Sequence, residues 1–132
     1  MVDLSVLLDI VQRRQPFYSA SAAALSRAIT PPNTAFLPAH AVTTPPLPHL
    51  QTCGTRASGY PRGLASGKVA FANQGHAQFV RARSLHFADF EDAAVASTAE
   101  SENCEVILTR NLVDFVASPI GALTPEEFLV DL

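Results

Sequence analysis

No aspartate or glutamate occurs between Ile10 and Ala88, a run of 79 residues. That gap excludes any carboxylate-based chemistry from the middle of the chain. Only two cysteines are present, Cys53 and Cys104, so a disulfide framework is excluded and both are expected as reduced thiols. Cys53 follows His49 by four positions, but no second close Cys or His pair completes a zinc pattern. There is a single lysine, Lys68. No apolar run reaches the length of a membrane span, and the first residues lack the charged-then-apolar order of a secretory leader. The expected setting is the cytoplasm, without membrane attachment.

What is present is distributed unevenly. Eight of the nine basic residues fall between positions 13 and 83, whereas the twelve acids are Asp3, Asp9 and a set that begins at Asp89. A basic middle between acidic ends suits a polyanion-binding face beside a cation-binding pocket, although solvated surface charge accounts for the same counts. At 132 residues, 48% apolar and 16% charged, the chain suits one folded domain over 1–132.

Along the chain, Val2 to Val6 reads as a short buried strand and "VLLDIVQRR" as a helix ended by Pro16. The alanine-rich "FYSASAAALSRAI" is a second helix, and "TAFLPAHAV" holds a second strand. From about 43 to 75, prolines and glycines dominate, and neither a central strand nor a long helix fits. "HAQFVRARSLHF" is weakly helical. "DFEDAAVASTAESE" is a helix with Asp89 as N-cap, "CEVILT" a buried strand and "RNLVDFV" a turn or short helix. "SPIGAL" gives a last strand. "TPEEFLVDL" opens a helix with Thr124 as cap, Pro125 at its first position and Glu127 at its third. Strands alternating with helices predict an α/β fold with a parallel sheet, whose ligands gather at the carboxyl ends of the strands.

Candidate chemical residues cluster at such ends. Asp3 lies in the first strand with Ser5 two residues on, Asp92 in the first turn of the helix capped by Asp89, and Asn111 just after "VILT" with Asp114 behind it. An acid inside an apolar strand is costly unless paired or ligated, which favours Asp3. Asp92 suits a metal ligand but also a dipole-stabilising first-turn acid, and Asn111 and Asp114 also suit a turn. Asp9 reads as a solvated or salt-bridged side chain. Converging carboxylates repel, and hard divalent cations relieve that cost.

"VDLSVLLDIVQRRQPFY", "LHFADFEDAAVASTAE" and "VILTRNLVDFVASPIGALTPEEFL" together resemble the PIN-domain ribonucleases, in particular the VapC-like toxins of bacterial toxin–antitoxin pairs. The resemblance implies a three-layer α/β/α sandwich with a parallel central sheet. It also implies RNA cleavage with Mg²⁺ or Mn²⁺, an antitoxin protein as partner and a homodimer. Matched by motif, Asp3, Asp92, Asn111 and Asp114 take the positions of the metal-binding residues. The first three would be catalytic, with Ser5 and Thr109 supporting them. A further family acid expected after the second strand is missing here, and Thr44 stands near its place. The alternative is therefore an inactive module of the same fold that binds RNA or an antitoxin. A reading frame disrupted and then restored would also explain good matches on both sides of a poor one. A phosphoacceptor receiver domain fits less well, since it wants a second acid beside Asp3 and a late lysine.

Overall fold

The computed structural model describes residues 1–42 and 69–131. The proline- and glycine-rich stretch, with Thr44, His49 and Cys53, therefore lies almost wholly outside the described residues. Its final residues correct the reading. Val69–Phe71 form a strand where none was expected, because "VAF" carries a β-branched and an aromatic residue and neither proline nor glycine.

The chain begins extended, but only as far as Asp3. Helix α1 (Leu4–Val11) starts at the next residue, with Asp3 in N-cap conformation, so the strand expected over 2–6 is cut to its first half. A short apolar run satisfies strand and helix alike, and Val6, Leu7 and Ile10 settle it by burying one helical face. Helix α2 (Tyr18–Ala28) buries Ser21, Ala24 and Leu25. Strand β1 (Ala35–Leu37) follows, then a 3₁₀ turn at Ala39–Val42 and strand β2 (Val69–Phe71). Helices α3 (His76–Ser84) and α4 (Phe90–Ser101) precede strand β3 (Ile107–Leu108). A 3₁₀ turn at Leu112–Phe115, strand β4 (Ala122–Leu123) and helix α5 (Pro125–Val130) complete the order.

Two caps act as the sequence predicts. The Asp89 carboxylate accepts the Glu91 N–H at 2.7 Å, and Thr124 and Glu127 form a reciprocal capping box at the start of α5.

Strands β1 and β2 pair in parallel, as do β3 and β4. The extended segment 1–3 joins the two pairs. The Val2 N–H donates to the Phe36 carbonyl at 2.9 Å, the Asp3 N–H to Leu108 at 2.9 Å, and the Leu108 N–H to Met1 at 2.8 Å. Neighbouring residues then alternate between two hydrophobic clusters, as side chains on a strand must. Val2, Leu37 and Leu108 pack with α1 and α2, whereas Met1, Phe36 and Ile107 pack with Val95, Ala96 and Ala99 of α4. Ala93 to Ala99 are all buried, since α4 carries α3 on its other side through Ala82. The Ser97 and Thr98 hydroxyls, buried with them, donate back to the Ala94 carbonyl at 3.1 and 2.6 Å.

Candidate acidic site and its arginine anchor

Asp3 ends the extended segment beside the carboxyl end of β3, and the residue is 6% exposed. Its carboxylate does not cap α1. Instead Oδ2 accepts the Ser5 hydroxyl at 2.6 Å and the Thr109 hydroxyl at 2.9 Å. Thr109 is fully buried, and its Oγ1 also accepts the Asn111 N–H at 3.1 Å. One threonine thus ties the orientation of Asp3 to the loop that carries Asn111. Ser5 and Thr109 both bond the same Asp3 carboxylate oxygen.

Asp92 is the third residue of α4 and half-buried. Its carboxyl is pushed up to about 6, first by burial and then by the charges of Asp3, Asp89, Asp114 and Glu91. Three of the sequence-predicted acids, Asp3, Asp92 and Asp114, therefore share one electrostatic field. Asp114 is exposed on the 3₁₀ turn, and its N–H donates to the Asn111 carbonyl at 3.1 Å. Asn111 is exposed, and its side-chain amide makes no hydrogen bond among the described residues. The turn at 39–42 also approaches α4, with His40 Nε2 3.2 Å from Glu91 Oε1.

Among the described residues, no three His, Cys, Asp or Glu side chains form a group that could enclose a metal ion. The donor chemistry still suits a hard divalent cation. Mg²⁺ keeps several waters and needs only one or two protein carboxylates beside a substrate phosphate. Asp92, raised first by burial and then by its acidic neighbours, is also where a cation would relieve repulsion.

Sequence reasoning missed the arginine behind this site. Of the two readings of Asp9, salt-bridged holds and solvated does not: it is buried, and Arg110 Nε lies 2.7 Å from its Oδ2. The same guanidinium reaches Glu126 Oε2 at 2.6 Å, Ser21 Oγ at 2.9 Å and the Phe17 carbonyl at 3.2 Å, and lies over the Phe17 ring at 4.6 Å. Its backbone N–H donates to Ser5 Oγ at 3.2 Å. Arg110 stands between Thr109 and Asn111, so it clamps the site loop to α1, α2 and α5. One signal was available: Arg110 is the only basic residue after Arg83.

The family described as the PIN domain matches residues 1–113, a span that includes Asp3, Asp92 and Asn111 and stops one residue before Asp114. No curated protein matches the chain.

Proposed function

Because the chain belongs to the PIN-domain family, we propose that it is a metal-dependent endoribonuclease of the toxin–antitoxin type. It would act in the cytoplasm as a single three-layer α/β/α domain, with an antitoxin and a second copy of the chain as protein partners. The observation that carries the reading is the buried Asp3 carboxylate, fixed by Ser5 and Thr109 and sharing one field with Asp92 and Asp114.

Asp3 and Asp92 would hold Mg²⁺ or Mn²⁺, with Asn111 and Asp114 at its margin. When bound, the cation supplies neutralisation of phosphodiester charge and acidification of a water. The chain's own part is positional. Both hydroxyl donors occupy Oδ2 of Asp3, which leaves Oδ1 without a protein donor among the described residues. Thr109, bonded to both Asp3 and the Asn111 N–H, and the Arg110 clamp would hold the loop of Asn111 and Asp114 near that carboxylate. Asp92 enters from α4, whose start is fixed by the Asp89 cap.

One observation favours a second reading, an inactive module that binds RNA or an antitoxin: the described acids do not close into a group of three. Cleavage of a labelled single-stranded RNA by the full chain with Mn²⁺ decides between the two. The nuclease reading expects cleavage, lost on chelation and reduced at least a hundredfold in Asp92→Asn. It also expects Mn²⁺ to raise the melting temperature of the wild type but not of that variant. Binding without Mn²⁺-dependent cleavage supports the module and refutes the enzyme.

A further inference from the structure

Helix α3, packed on α4, carries a different kind of surface. On α3, His76, Phe79, Val80 and Arg83 recur at helical spacing and are all exposed, forming one stripe. The face of α3 turned to α4 is different, with Ala82 buried against Ala93 and Ala94. Phe79 is 41% exposed, and its ring stacks at 6.1 Å and 29° on Phe90, which is 50% exposed. Phe90 is the first residue of α4, two positions before Asp92.

The cations of α3 differ in availability. Arg81 is committed to Glu100 at 2.8 and 3.1 Å. Arg83 makes no hydrogen bond or ion pair among the described residues. Two exposed, mutually stacked rings on the same helix pair as an uncommitted guanidinium match the chemistry of an unpaired nucleotide, whose base stacks while its phosphate takes the cation. The charge division of the sequence falls across this point, for the basic run ends at Arg83 and the acidic one begins at Asp89.

We infer that the Phe79–Phe90 pair is a stacking platform for one unpaired base, with Arg83 on an adjacent phosphate, and that it directs single-stranded RNA to the acidic site. The platform takes RNA as substrate from the nuclease reading above, but its own evidence is the ring pair and the stripe. Phe90 and Asp92 share the first turn of α4, so a base held on the rings would enter the site at that helix end, and stacking tolerates any base because every base has a π-face.

The test separates binding from cleavage. Anisotropy of a fluorescein-labelled oligouridylate in EDTA reads binding by the full chain, and Mn²⁺-dependent cleavage is followed in parallel. Phe79→Leu with Phe90→Leu keeps both side chains apolar and removes the ring faces, whereas Phe79→Tyr with Phe90→Tyr keeps the faces. The leucine pair should weaken binding by about tenfold and the tyrosine pair by less than about twofold. Arg83→Ala should weaken binding and lower the slope of log affinity against log salt by about one. Circular dichroism melts confirm that the variants are folded. The platform falls if the folded leucine pair binds RNA like the wild type. It falls equally if that pair alters only the mass seen by light scattering, which makes the face a protein contact. Unchanged binding with intact cleavage would overturn the platform and leave the nuclease reading standing. Loss of binding in the leucine pair, in a wild type that never cleaves, would do the reverse. A wild type that binds no single-stranded RNA overturns both.

Discussion

Replacing Arg110 by methionine keeps the volume of the side chain and removes its charge. The Asp9 side chain is 3% exposed, and its Oδ2 accepts two bonds, from Arg110 at 2.7 Å and from the Ser21 hydroxyl at 2.8 Å. After the substitution, one neutral hydroxyl remains to serve a buried carboxylate. Breaking such a pair from one side costs about 3–5 kcal/mol, because the surviving charge stays desolvated. The contact with the Phe17 ring adds about 0.5–1 kcal/mol, and the pair with the half-exposed Glu126 adds little. A loss of about 4 kcal/mol is a large share of the roughly 5–15 kcal/mol that holds a domain together. Asp9→Asn removes the stranded charge but keeps an oxygen for Ser21, so Asp9→Asn/Arg110→Met should recover about 2 kcal/mol relative to Arg110→Met alone. Urea unfolding of the four proteins measures this as a coupling energy. If Arg110→Met costs under about 1 kcal/mol, or the two substitutions add within about 0.5 kcal/mol, Asp9 and Arg110 do not form the clamp described here.

Burial and the neighbouring acids push the Asp92 carboxyl up to about 6 from the ordinary aspartate value of 3.8, so the folded state binds its proton more tightly than the unfolded state. The stability from that proton is full below about 3.8 and is lost as pH rises through about 6. Asp92→Asn should therefore raise the melting temperature at pH 7 by up to about 3 °C, and the gain should shrink towards pH 4. Melts of the two proteins across that range check it, and a variant less stable than the wild type at pH 7 refutes it. Thr124→Ala removes one half of the α5 capping box and should cost about 1 kcal/mol in urea unfolding, with no change at a distant substitution such as Ser19→Ala.

Local chemistry in the sequence was enough for the late elements. Helices α4 and α5 were legible because Asp89 and Thr124 sit where their carboxylate and hydroxyl satisfy open N–H groups, and β3 because three apolar residues run together. The first strand was legible only in part, since a short apolar run has no period that separates strand from helix, and α1 claimed everything after Asp3. Strand β2 was missed because the prolines and glycines before it obscured three ordinary strand residues. Of the site, Asp3, Ser5 and Thr109 could be grouped by motif, and the structure joins them by hydrogen bonds. The Asp9–Arg110 pair could not be read, because its members lie 101 positions apart and no local rule connects them.

The segment 1–3 bonds to β1 on one side and to β3 on the other, and its acid meets a threonine 106 positions later. A chain emerging in order from a ribosome thus carries its first strand unpaired on one side until Leu108 arrives. Contacts of such long sequence separation are slow to close. The hydrogen-bonded setting of Asp3 therefore cannot be assembled on a nascent fragment that lacks Thr109. It comes into being when the sheet is stitched through its middle by Leu108 and Thr109, and any truncation before Thr109 removes it.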